Sequence, residues 1–164
     1  MDILNHTHPG FHVVPFTKEN NFHPENEAYF PNNGKDTGCM PNGKKKGTFA
    51  VVSNPSNPTG HTRHGDELKG LIELAEQDGN GILLDEAYEW FHEKGTVSGI
   101  QYVKDLENSN VFIAGACTKG FQSPGIRIGW IVASKRHIEC LSNFSSFGMG
   151  GVSHLSQKYA TMLF

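Results

Sequence analysis

Four short apolar runs constrain this chain most: TFAVVS (48–53), GILL (81–84), VFIA (111–114) and the core of RIGWIVAS (127–134). Each is too short for a helix of ordinary length. Each is apolar at consecutive positions, the pattern of a strand covered on both faces. Between the first two lies HGDELKGLIELAEQDG, where Leu68, Leu71, Ile72 and Ala75 recur at helical spacing and Gly79 stands where a helix would end. KRHIECLSNFSSF and VSHLSQKYATMLF also read as helices. Continuous strands alternating with helices predict an α/β fold, a mainly parallel, mixed sheet with helices on both faces.

The chain has 164 residues, enough for one domain with a core. Residues 1–47 are rich in Pro, Gly, Asn and His and read as a loop-rich segment, long for a single domain, with FHVVPF as the one candidate strand. Residues 48–164 read as part of a domain. The last helical pattern runs to Phe164 with no stop signal, so the expectation is a piece of a longer protein, cut at the C-terminus and also at the N-terminus.

A net charge of -3 speaks against a nucleic-acid partner, and Lys44-Lys45-Lys46 reads as a solvated loop. Cys39, Cys117 and Cys140 are too widely spaced for a zinc site or a disulfide framework and fit a reducing, cytoplasmic setting. No signal peptide and no membrane span are read. His6, His8, His12, His61 and His64 fall into no metal-ligand spacing, so no metal is expected.

In an open α/β sheet, ligands sit at the carboxyl ends of the strands. After TFAVVS comes NPSNPTG (54–60), a stiff turn that can aim the Asn57 amide, and by itself also an ordinary Pro-rich turn. After GILL come Asp85, Glu86, Ala87 and Tyr88, where the acid could equally cap a helix. After VFIAGAC come Thr118 and Lys119, then Arg127 beyond a Pro-Gly turn. A second motif competes: GCMPNGKK approaches a nucleotide hydrolase phosphate loop. It fails because Lys45 stands where a Ser or Thr must hold magnesium, and because the segment leads to a strand rather than a helix.

Three strand ends with different polar groups point to one ligand. A lysine can form a Schiff base with a carbonyl cofactor. An arginine can grip a phosphate with two donors. A carboxylate at a buried strand end needs a cationic partner. An amide and a phenol can hold a ring hydroxyl. An aldehyde, a phosphate, a ring hydroxyl and a basic ring nitrogen together describe pyridoxal phosphate, an electron sink when its ring nitrogen is protonated.

NPSNPTG, DEAY and TKGFQSPGIRIGW, in this order and at these separations, resemble the class I/II aminotransferases of fold type I. The resemblance runs from about Thr48 to Ser134 and implies the aminotransferase large-domain type, incomplete here. It implies Lys119 as the Schiff-base lysine, Asp85 at the pyridine nitrogen, Tyr88 and Asn57 at the ring hydroxyl, and Arg127 with Thr118 at the phosphate. Pro58, Gly60, Pro124 and Gly125 would shape the two loops. Ala116 stands where the family often has a phosphate-binding serine, and residues 1–48 hold no match to its upstream phosphate turn or ring-stacking aromatic. The family's small domain, with its substrate arginine, is expected beyond Phe164. The resemblance further implies amino acid and 2-oxo acid substrates and a homodimer. Three alternatives stand beside transamination: another fold type I reaction (decarboxylase, lyase or cyclase), a non-catalytic fragment, and a nucleotide hydrolase.

Overall fold

The computed structural model describes residues 12–31, 47–77, 79–92 and 97–164, and the four apolar runs form four strands of one sheet. The strands are β1 (Phe49–Ser53), β2 (Gly81–Asp85), β3 (Val111–Ala116) and β4 (Gly129–Val132), in the spatial order β1-β2-β3-β4. β1, β2 and β3 run parallel, and β4 is antiparallel to β3. The sheet is therefore mixed. All three parallel strands deliver their carboxyl ends to one edge.

Register decides which side chains share a face. Ala50, Ile82 and Val111 align across the sheet, as do Val52, Leu84 and Ile113. These six are buried and form the centre of the core. Helix α1 (Gly65–Ala75) covers them with Leu68, Leu71, Ile72 and Ala75, each fully buried. Burial of each large aliphatic side chain stabilises the fold by ~1.5–3 kcal/mol. Asp66 and Glu67 in the first turn of α1 oppose the positive end of its dipole. The helix stops at Ala75, before Gly79; Asn80 then binds the Leu74 carbonyl (2.9 Å) and accepts from the Thr48 amide (3.0 Å), tying the helix exit to the start of β1.

The opposite face carries Phe49, Val51 and Ile131, which are exposed, and Phe112. Helix α2 (Lys135–Gly148) starts on that side, where the His137 ring lies 4.7 Å from Phe112. Helix α3 (His154–Ala160) follows. It ends at Ala160 rather than running on to Phe164. The Thr161 hydroxyl donates to the Lys158 carbonyl, and the amides of Met162 and Leu163 bond three residues back, which tightens the chain into a turn. Among the described residues no helix is long and apolar enough to cross a membrane.

The loop-rich segment contributes to this core. Tyr29 and Phe30 are buried in it, next to a short 3-10 turn at Asn26–Tyr29. The described part of FHVVPF, residues 12–16, forms no strand. Pro15 has no N–H for a ladder, and its carbonyl is taken by the Asn20 amide (2.8 Å) as the chain enters the next turn. GCMPNGKK lies outside the described residues.

Candidate active site

β1 continues into NPSNPTG through one more ladder bond, from the Asn54 amide to the Asp85 carbonyl (2.9 Å). The fully buried Asn54 side chain then imitates a strand: it accepts from the Arg63 amide (2.7 Å) and donates to the Arg63 carbonyl (3.0 Å). Within this closed loop the Ser56 amide bonds the His61 carbonyl (2.8 Å) and the Gly60 amide bonds the Ser56 carbonyl (2.8 Å). Gly60 has φ +74°, the left-handed region that favours glycine. The result is an exposed Asn57 at the loop tip, with its amide 3.4 Å from the Tyr88 hydroxyl.

Tyr88 comes from the end of β2. Asp85 and Glu86 are consecutive and therefore point to opposite faces. Asp85 is exposed and accepts from the Ala87 amide (3.0 Å). Glu86 turns inward, is 2% exposed, and accepts from the Gly99 amide (2.7 Å). Burial pushes its carboxyl up to about 7, opposed by hydrogen bonds from Ser98 and Gly99 and reinforced by the charges of Glu89 and Asp85. Sequence reasoning left Glu86 without a role. The period of two would have found it, since with Asp85 at the solvent edge its neighbour must enter the core.

The ladder between β3 and β4 also runs one step further, from the Cys117 amide to the Ile128 carbonyl (3.1 Å). The two ends of the loop that carries Thr118, Lys119 and Arg127 are thus fixed side by side. Lys119 is exposed, and its Nζ lies 5.2 Å from the centre of the Tyr88 ring. Cys117 is fully buried and its thiol is pushed up by burial, so it stays an unreactive neighbour. Thr118 is half-buried. Arg127 adopts φ +54°, which residues other than glycine rarely do, and donates to the Pro124 carbonyl (3.1 Å). It lines a cavity of about 410 Å³ with Gly125, Ser145, Gly150, Gly151 and Ser153. Asn57 and Lys119 thus both come up to Tyr88. Asp85 stands on the adjacent strand end, and Arg127 faces its own cavity.

Trp90 supports this arrangement and was not foreseen. A Cβ on Gly120 would lie 2.2 Å from Trp90 Cδ1 and 3.1 Å from its Cβ, so glycine is required beside the lysine. Gly120→Ala is expected to destabilise the chain by about 1–3 kcal/mol, the usual cost of overpacking, and to shift tryptophan emission. Unchanged denaturant midpoint and emission would refute the contact. Among the described residues no group of three or more His, Cys, Asp or Glu could hold a metal ion.

The chain as a whole is similar to known proteins. The family model for aminotransferase class I and II matches residues 2–163. Aspartate aminotransferase of Sulfolobus acidocaldarius is 29% identical over 119 residues, covering 73% of this chain and 30% of the relative. Histidinol-phosphate aminotransferase of Thermotoga maritima is 30% identical over 115 residues, covering 70% and 31%. The solved structure of Thermus thermophilus aspartate aminotransferase with maleate superposes with a TM-score of 0.68 at 25% identity, over 92% of this chain and 36% of that one. The chain spans about a third of the length of these relatives.

Proposed function

We propose, from the premise that this chain belongs to the aminotransferase class I and II family, that it forms the pyridoxal-phosphate-holding part of an enzyme that moves an amino group between an amino acid and a 2-oxo acid. The observation that carries this reading is the meeting of three strand ends at one edge, where the Asn57 amide, the Tyr88 phenol and the Lys119 amine come together.

The donor set suits the cofactor. Lys119 offers an exposed amine beside an aromatic ring, Asn57 and Tyr88 offer a paired amide and phenol, and Arg127 offers a guanidinium on a roomy cavity. When bound, pyridoxal phosphate supplies an aldehyde that captures amines and a protonated ring that accepts electrons. Asp85, an exposed carboxylate with one oxygen already hydrogen-bonded to Ala87, would keep the ring nitrogen protonated. Asn57 and Tyr88, already paired at 3.4 Å, would hold the ring hydroxyl. Arg127, with the Thr118 hydroxyl, would hold the phosphate. Lys119 would anchor the cofactor through Nζ. Freed from the cofactor by a substrate amine, the same Nζ would be available to take up and return a proton.

A homodimer in the cytoplasm is the proposed working form. The exposed Phe144 and Phe147 on α2, Leu155 on α3 and Met162 in the turn after it support it, because exposed apolar side chains of this kind mark contact surfaces.

The test is to mix the purified chain with pyridoxal phosphate, reduce with borohydride, and map the modified lysine by mass spectrometry. Label concentrated on Lys119 is expected. Weak label spread evenly over all lysines would overturn the assignment.

A further inference from the structure

Arg63 is a cation with 1% exposure, held between two parts of the chain. Its backbone closes the 54–63 loop through both bonds to Asn54. Its guanidinium reaches the upstream segment: Nε donates to Asn26 Oδ1 (3.0 Å), Nη2 donates to the Pro24 carbonyl, and the group lies 5.3 Å from the centre of the Tyr29 ring. Glu67, one turn along α1, completes the set at 3.3 Å from Nε. Asn26 in turn donates to the Glu67 carbonyl (2.8 Å), and His23 bonds the Glu67 carboxylate.

A buried ion is a poor way to add stability, because desolvation offsets most of the attraction; an apolar residue of the same volume commonly does as well. What a buried arginine provides is orientation. Its planar fork has fixed donor directions that a lysine or an aliphatic side chain lacks. Here the fork sets where the 24–29 segment, the start of α1 and the end of the NPSNPTG loop stand relative to one another. Of these three elements, the loop is the one that carries Asn57.

We propose that Arg63 is a positioning residue for Asn57: through its fork and the two hydrogen bonds between its backbone and the Asn54 side chain, it holds the 54–63 loop so that the Asn57 amide meets Tyr88. The inference rests on the reading of Asn57 as a cofactor contact, and it adds a residue outside the three motifs.

Two measurements test it. In the cofactor-free chain, hydrogen exchange by mass spectrometry follows the amides of Ser56, Gly60 and Arg63. Arg63→Gln is expected to speed their exchange by about 10-fold or more, while the β1–β3 amides change far less, the signature of a local opening. Unchanged exchange across 54–63 overturns the proposal whatever the cofactor does. In the chain loaded with pyridoxal phosphate, the pH midpoint of the visible absorption band reads the contacts of the ring hydroxyl. Arg63→Gln is expected to move it in the same direction as Asn57→Ala, by about half a unit or more. Faster exchange with an unmoved midpoint overturns the link to Asn57. If Arg63→Gln fails to fold, Asn26→Ala decides both measurements, since it removes an acceptor of the guanidinium from outside the loop. A wild-type chain that takes up no reducible cofactor refutes the functional reading instead, and the exchange result still judges Arg63.

Discussion

Replacing Lys119 by alanine is expected to abolish borohydride-fixed cofactor at this position and leave only the background seen on other surface lysines. The protein should otherwise remain intact. Lys119 is exposed, and its one described partner is the face of the Tyr88 ring at 5.2 Å. A cation–π contact at an exposed site contributes ~0.5–1 kcal/mol, so the denaturation midpoint should hardly move. This separation of a lost label from a kept fold is the point of the experiment. A structural lysine would lose stability and keep the label elsewhere. A variant that retained a specific label at another residue would move the anchoring role away from the β3 strand end. The chain spans about a third of its relatives, so label rather than turnover is the fitting measure.

Glu86→Gln is expected to change how stability depends on pH. The folded-state pKa of Glu86 is about 7 against an ordinary 4.5, mainly because the carboxyl is buried. A raised pKa means that the folded state holds the proton more tightly than the unfolded state. Glu86 therefore supports the fold fully below about pH 4.5, and this support is lost as pH rises to about 7. The loss amounts to roughly 3 kcal/mol. Glutamine keeps an oxygen for the Gly99 amide and cannot ionise. The stability of the variant relative to the wild type should thus rise between pH 4.5 and 7 and then level off. Urea denaturation at pH 5 and pH 8 measures this; an equal difference at both values would show that Glu86 ionises without a burial cost. The effect matters at the site because Glu86 adjoins Asp85. Its bond to Gly99 ties the β2 strand end to the segment beneath it.

Much of the fold and of the candidate site was legible in the sequence. The four apolar runs could only be strands, because each is short and apolar on consecutive positions. The spacing of Leu68, Leu71, Ile72 and Ala75 could only be one buried helical face, and all four are buried. A strand end at the edge of a parallel sheet is where polar side chains can gather, so position together with the family motifs singled out Asn57, Asp85, Tyr88, Thr118, Lys119 and Arg127 as candidates. FHVVPF was misleading. Its apolar composition suits a strand, but Pro15 cannot donate to one, and the Asn20 side chain takes the carbonyl that a partner strand would have used.

By itself, the sequence determined local things: which segments are strands and helices, and which polar groups follow each strand. These depend on period and on turn chemistry over a few residues. Only the tertiary structure decided that β4 returns antiparallel to β3, that Asn57 meets Tyr88, that Glu86 is buried at about pKa 7, and that Arg63 joins residues 24–29 to the Asn57 loop. Those facts come from register and burial between segments as much as 39 positions apart. No local pattern encodes which distant oxygen a guanidinium will find, or how much water a carboxylate will lose, until the layers have packed.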